Sequence, residues 1–204
     1  MTSIILTETH LYADQQVSTD RSTTHECRDC KSQNVLRVRQ RECSKITVPS
    51  KMVMYRDSPI LALAAAGNSR LIVQVTDLIL NGICPIKTIT NFKKMFPFNT
   101  GYRCSVLVVT VECAYRLVIS ENRVEVGKVT DYPVVIGSGA TMAKVVWQLF
   151  PKASPLRIMS TLIAHDSSTG VGVDRFKYHG KSGKIRHYNP DELPTALKNL
   201  KAPK

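Results

Sequence analysis

The second residue of the chain is a threonine, and it could act as a nucleophile that carries its own base. Removal of Met1 would give Thr2 a free α-amine beside its hydroxyl. An α-amine has an ordinary pKa of about 7.7 to 8.0, so a useful fraction is unprotonated at neutral pH and can accept the hydroxyl proton. If Met1 is removed, this terminus can therefore act as a nucleophile that its own amine activates. The alternative is that residues 4–6 only form the first strand of an ordinary core.

The elements that would position this terminus follow from apolar spacing and turn residues. Strand spacing occurs at residues 3–7, 10–14, 53–66, 105–111, 114–120, 123–128, 133–136 and 170–179. Helical spacing occurs after Asn68 up to Asn81-Gly82, at 142–149 and from Ser154-Pro155 to about 166, and a further helix fits 86–95. Strands and helix pairs alternate in this order. The pattern predicts an α+β fold with antiparallel sheets, arranged as a four-layer αββα sandwich.

Composition and charge limit the class of protein. The 204 residues are 43% apolar, which is typical of a globular domain. No apolar run of about 18 residues and no signal-peptide pattern occurs, so we expect a cytoplasmic protein without a membrane partner. The formal net charge is +12, from 28 Lys and Arg against 16 Asp and Glu. This excess favours binding to nucleic acid or to another polyanion.

Four short motifs accompany the N-terminal threonine. They are Asp-Gln-Gln-Val-Ser at 14–18, Lys51 ahead of Ala-Ala-Gly at 65–67, Val-Ile-Gly-Ser-Gly-Ala at 135–140, and Asp-Ser-Ser-Thr-Gly at 166–170. In this order the motifs resemble the N-terminal-nucleophile hydrolases. The resemblance is strongest to the proteasome β-subunit family and, within it, to the bacterial HslV-type peptidases. It implies the Ntn-hydrolase fold over residues 2–180, followed by a basic C-terminal tail at 181–204.

The resemblance also implies how the nucleophile is activated. Lys51 would place an ammonium near Thr2 and lower the pKa of the hydroxyl and of the α-amine. Asp14 would hold Lys51 by a charge-assisted hydrogen bond. Taken singly, Lys51 is more typical of a solvated lysine before a strand, and Asp14 of a turn residue.

Further site residues are implied by the same motifs. Ser138 would hydrogen-bond the α-amine, and Asp166 and Thr169 would orient Ser138. Backbone N–H groups at Ala66 and Gly67 would stabilise the oxyanion. Substrate would also contact Gln16. No cofactor is required for this reaction.

Three departures from the family pattern stand out. The hairpin from Thr2 to Asp14 is shorter than is usual in the family. A loss of two residues from each strand would still leave every side chain on the same face of the sheet. Ala66 replaces the usual glycine of the oxyanion turn. Residues 19–50 form a long polar insertion, which also carries the basic residues Arg37, Arg39, Arg41 and Lys45.

The insertion contains enough ligands for a tetrahedral metal site. His25, Cys27, Cys30 and Cys43 follow the pattern His-x-Cys-x₂-Cys-x₁₂-Cys and could hold a structural zinc. A second closely spaced cysteine pair is missing. The alternative is a flexible polar loop with free thiols.

The resemblance implies a threonine endopeptidase subunit that assembles into a homo-oligomeric ring and hydrolyses peptides or unfolded proteins. The resemblance is compatible with an ATP-dependent unfoldase partner, whose existence the sequence does not decide. The alternative is a catalytically silent member of the fold, a structural or nucleic-acid-binding protein of phage or mobile-element origin. The fate of Met1 distinguishes the two, because a retained Met1 removes the α-amine from Thr2.

Overall fold

A computed structural model of the chain describes residues 3–15, 44–82, 103–120, 123–165, 172–178 and 183–197, and the backbone alone at 17–18, 24–26, 33–35 and 39–40. The strands are β1 (Ser3–Leu6), β2 (His10–Asp14), β3 (Val17–Ser18), β4 (Thr24–Glu26), β5 (Gln33–Val35), β6 (Arg39–Gln40), β7 (Ile46–Thr47), β8 (Met54–Tyr55), β9 (Ser58–Gly67), β10 (Arg103–Thr110), β11 (Ala114–Ser120), β12 (Arg123–Lys128), β13 (Val134–Gly137), β14 (Val173–Lys177) and β15 (Ile185–Tyr188). The helices are α1 (Ser69–Leu80), α2 (Ala140–Leu149) and α3 (Pro155–His165), and a 3₁₀ turn follows at Pro190–Glu192.

Two antiparallel sheets dominate the architecture. One has five strands in the order β13-β1-β2-β14-β15. The other has six, in the order β12-β11-β10-β9-β7, with β8 paired to β9. The prediction of a mixed fold of antiparallel sheets with few helices is therefore confirmed.

The apolar side chains form three clusters that follow the alternation of the strands. One lies between the sheets and joins Ile4 and Leu11 of the five-stranded sheet to Ala64 and Leu107 of the six-stranded sheet. A second packs α1 on the six-stranded sheet. The third packs α2 and α3 on the other face of the five-stranded sheet, through residues such as Ile5. Each sheet thus buries both faces over part of its area.

Local sequence signals set the ends of α1. Asn68 accepts a hydrogen bond from the backbone N–H of Leu71 at 3.1 Å, which satisfies one free donor of the first turn. After Leu80 the chain turns through Gly82, whose φ of +74° suits glycine. The predicted cap and end are both confirmed.

None of the described helices is long and apolar enough to span a membrane.

Residues 183–197, near the C-terminus, pack against the five-stranded sheet and α3. Strand β15 pairs with β14, so that Tyr188 lies opposite Val173. Further on, Leu197 is 7% exposed, and its backbone N–H donates to the Thr161 hydroxyl of α3 at 3.0 Å. These contacts lie within the segment at 181–204 that the sequence analysis assigned to a basic tail. Tyr188 and Leu197 bury apolar surface against the helices, which the basic composition of the segment conceals.

Candidate active site

The centre of the candidate site is Asp14, the last residue of β2. Strand β1 pairs with β2 so that Ile4 lies opposite Ala13, which brings Ser3 beside Asp14. The backbone N–H of Ser3 donates a hydrogen bond to Oδ2 of Asp14. The side chain of Asp14 is fully buried. The carboxylate is therefore fixed within one residue of Thr2.

Lys45 supplies the countercharge. Its ammonium forms an ion pair with Oδ1 of Asp14, and its side chain is only 7% exposed. A buried ammonium is costly unless a carboxylate compensates it, so the position of Lys45 depends on Asp14. Both charges lie where the two sheets meet, at the start of β1.

The predicted hydrogen bond between Asp14 and Lys51 is not formed in the described part of the chain, where Lys45 pairs with Asp14 instead. Lys51 is exposed and lies in the connection between β7 and β8. Residues 54–59 form a small hairpin, β8 against the start of β9, that turns through Arg56 and Asp57 with φ of +48° and +64°. The hairpin adds residues between Lys45 and Gly67, so counting back from Gly67 without a gap leads to Lys51 and not to the lysine that pairs with Asp14.

A weak sequence signal could have found Lys45. It directly precedes Ile46-Thr47-Val48, a β-branched run typical of a strand, and Pro49 ends that run. The polar composition of residues 19–50 assigned Lys45 to the insertion instead.

The predicted oxyanion positions lie at the same end of the six-stranded sheet. Ile46 pairs with Ala64 in antiparallel register, so Lys45 lies toward the Ala66–Gly67 end of β9. Ala66 is buried and Gly67 is exposed. Gly67 has φ of +130°, and an added Cβ would lie 2.3 Å from the carbonyl oxygen of Arg103. Only glycine fits this position, and its exposed backbone is open to a ligand.

Ser138 lies beside the start of β1. Gly137 pairs with Ser3, and Ser138 follows it in the exposed turn before α2. The next residue, Gly139, is buried, and a Cβ there would lie 2.2 Å from the Ser3 hydroxyl oxygen. The structure thus brings Asp14, Lys45 and the Ser138 turn to one end of β1.

Several predicted residues lie outside the described part of the chain. Thr2, Gln16, Asp166 and Thr169 belong to this group. For the zinc prediction, Cys27, Cys30 and Cys43 lie outside it, and His25 lies in β4, where only the backbone is described.

A second polar cluster next to the site has no counterpart in the sequence prediction. Asp174 of β14 is fully buried, and its Oδ1 accepts hydrogen bonds from Gln15 Nε2 at 2.6 Å and from His187 Nδ1 at 2.5 Å. Its Oδ2 is buried without a hydrogen-bond partner among the described residues. Asp174 lies opposite Ala13, so this cluster is one residue away from Asp14 along β2. No motif spacing connects these three residues in the sequence.

Comparison with known proteins supports the fold. The chain matches no protein-family model, and no curated protein matches its sequence. Among solved structures it is similar to Anbu (ancestral beta-subunit) from Yersinia bercovieri, with a TM-score of 0.54 and 12% identity over 94% of this chain and 89% of that chain. Eukaryotic HslV from Trypanosoma brucei matches with a TM-score of 0.48 and 16% identity, over 85% of this chain and 97% of that chain.

At these identities the likeness shows the fold alone. The chain has a proteasome-like fold, as its motifs predicted, and the Anbu match carries that statement. An HslV-type assignment is finer than this likeness distinguishes.

Proposed function

We propose that the chain is a proteasome-like threonine peptidase subunit whose nucleophile is Thr2, freed by removal of Met1. The observation that carries the proposal is the buried Lys45–Asp14 ion pair, held by the backbone of Ser3. A buried, paired lysine beside the first strand is what an N-terminal nucleophile needs and what an ordinary core avoids.

In the proposed reaction the α-amine of Thr2 takes the proton of its own hydroxyl. The ammonium of Lys45 disfavours a positive charge on the amine and favours a negative charge on the hydroxyl oxygen. That oxygen attacks the carbonyl carbon of the substrate, and the amine then gives its proton to the departing amide nitrogen. The resulting ester on Thr2 is hydrolysed by water, which restores the hydroxyl. Asp14 keeps Lys45 in place and does not exchange a proton.

The remaining residues would support this sequence of steps. Backbone N–H groups at Ala66 and Gly67 would stabilise the oxyanion of the tetrahedral intermediate. Ser138 would hydrogen-bond the amine, and Asp166 and Thr169 would orient Ser138. Gln16 would contact substrate. The exposed backbone of Gly67 and the position of Ser138 beside β1 support these assignments.

The finer architecture belongs to the same proposal. The three apolar clusters support a complete four-layer αββα sandwich. We further propose an HslV-type homo-oligomeric ring that receives unfolded chains from an ATP-dependent partner. Native mass spectrometry tests the ring directly: a single closed oligomer is expected, and a monomer at micromolar concentration would contradict it.

The proposed reaction uses no cofactor. Zinc at His25, Cys27, Cys30 and Cys43 would be structural and separate from it. Elemental analysis of protein purified without chelators should find stoichiometric zinc that is absent from a Cys27→Ser/Cys30→Ser variant. Equal zinc in the two proteins would contradict the site.

Intact mass and peptide hydrolysis together test the nucleophile. The mature chain should lack Met1, and it should cleave fluorogenic peptides at a rate that Thr2→Ala abolishes. Retained Met1, or cleavage that survives in Thr2→Ala, would contradict the proposal. Retained Met1 would instead favour the silent structural or nucleic-acid-binding alternative.

A further inference from the structure

Four basic side chains lie together on the five-stranded sheet, on the face that α2 and α3 only partly cover. They are His10, Arg175, Lys177 and Arg186, and we call them the basic face. Lys177 lies opposite His10 on the neighbouring strand, and Arg175 lies opposite both Tyr12 and Arg186. Directly paired residues project to the same side of a sheet, so all four share one surface. Lys177 and Arg186 are exposed, and His10 and Arg175 are half-buried.

The charges of the basic face are not compensated by the described protein. Like charges directly opposite each other in a sheet are destabilising, and Arg175 and Arg186 are such a pair. Among the described residues, the ion pairs are Lys45–Asp14, Arg123–Glu125 and His187–Asp174, and none includes a residue of the basic face. The arrangement costs free energy unless an anion binds there.

Two further observations show a concentrated positive field. The guanidinium carbons of Arg175 and Arg186 lie 5.2 and 4.6 Å from the ring centre of Tyr188, which fixes both cations beside one aromatic ring. Burial and the neighbouring charges of Arg175 and Lys177 lower the pKa of His10. The lowered pKa favours the neutral form of His10, so the charge of the cluster rests mainly on Arg175, Lys177 and Arg186.

We propose that the basic face binds the phosphate backbone of a nucleic acid without reading its sequence. Guanidinium groups match phosphate oxygens in bidentate geometry, and pairing of β14 with β15 places Arg175 directly opposite Arg186. Tyr12 and Tyr188 are each only 6% exposed, so their rings are not free to stack on bases. Contact is thus to phosphates, which carry no sequence information.

The overall charge argues for the same occupant. A second copy of a chain of net charge +12 would repel this surface, and a nucleic-acid strand offers uninterrupted negative charge. This inference does not depend on the proposed peptidase.

The test uses a fluorescein-labelled dT20 strand and the full-length protein, with anisotropy measured from 50 to 300 mM KCl. Wild-type protein should bind at 50 mM KCl, and Arg175→Gln/Arg186→Gln should bind at least about tenfold more weakly. For this variant, the slope of log K plotted against the logarithm of the salt concentration should be shallower by about 1.4, since each phosphate contact on a single strand contributes about 0.7. The matched control Arg70→Gln/Arg116→Gln removes two exposed arginines elsewhere and should stay within about threefold of wild type.

Two more measurements make the result specific. Arg175→Lys/Arg186→Lys keeps the charge and should retain most of the affinity. The NMR-measured pKa of His10 should rise when dT20 binds, because phosphate charge then offsets the neighbouring cations. Polyglutamate of equal charge should compete only weakly.

Each of the following results would overturn the proposal. They are no binding at 50 mM KCl, an equal loss in the control variant, a loss in the lysine variant as large as in the glutamine variant, or displacement by polyglutamate at equal charge.

Discussion

Asp14 of β2 and Asp174 of β14 are both fully buried, and they are stabilised in different ways. Asp174 lies opposite Ala13, the residue before Asp14. Asp14 has a partner for each oxygen, the ammonium of Lys45 and the backbone N–H of Ser3. In Asp174, by contrast, Gln15 and His187 both donate to the same carboxylate oxygen, Oδ1. The other oxygen, Oδ2, has no partner among the described residues. The countercharge of Asp14 is itself buried, whereas the His187 side chain is 62% exposed.

Under the proposed function, the difference favours Asp14 as the carboxylate that supports the chemistry. A buried ion pair with both oxygens satisfied holds its charges in one geometry before any substrate arrives, which is the condition for electrostatic catalysis. The partner of Asp174 faces solvent, where water competes for the charge. Asp174 instead ties β15 and the end of β2 together through Gln15 and His187.

The largest expected effect is the loss of one member of the Asp14–Lys45 pair. Lys45→Met keeps most of the side-chain volume but leaves the Asp14 carboxylate buried without its countercharge. We expect a loss of about 3–5 kcal/mol in the free energy of unfolding, measured by urea denaturation. The control Lys51→Met changes an exposed lysine and should stay within about 0.5 kcal/mol of wild type. Equal effects of the two substitutions would contradict the assignment of Lys45.

Much of the fold could be predicted from local patterns. The cap at Asn68, the spacing of α2 and α3, and the alternation in β11 and β12 are all encoded within a few residues. The predicted helix at 86–95 lies outside the described part of the chain.

The choice of lysine could not be predicted in the same way. It depends on how β7 and β9 pair, a contact set by the register of Ile46 against Ala64, and the intervening β8 hairpin changes the count. The Asp174 cluster was missed for a related reason. Gln15 and Asp174 are 159 positions apart in sequence, and only sheet pairing brings them together.

An intermediate effect is expected for Asp174. Asp174→Ala leaves the buried amide of Gln15 without its acceptor, which should cost about 1–3 kcal/mol of unfolding free energy. Thermal and urea unfolding of Asp174→Ala and of Lys45→Met should show the larger loss of unfolding free energy in Lys45→Met. A cost for Asp174→Ala larger than for Lys45→Met would reverse the comparison.

The smallest effect is expected for His187. Because its side chain is largely exposed, His187→Gln should change the free energy of unfolding by no more than about 1 kcal/mol at pH 7. Peptidase activity should be unaffected within about threefold, since His187 acts on β15 and not on Thr2. A loss of activity as large as that in Lys45→Met would place this cluster in the catalytic machinery instead.

The most direct test of the account is covalent labelling of the N-terminus by a peptide epoxyketone, followed by intact mass and peptide mapping. We predict one adduct per chain, located on Thr2, formed at wild-type rate in Lys51→Met and at least about 10²-fold more slowly in Lys45→Met that circular dichroism shows to be folded. No adduct on a chain that begins at Thr2, or equal labelling rates in the two lysine variants, would contradict the claim that the Lys45–Asp14 pair activates this threonine.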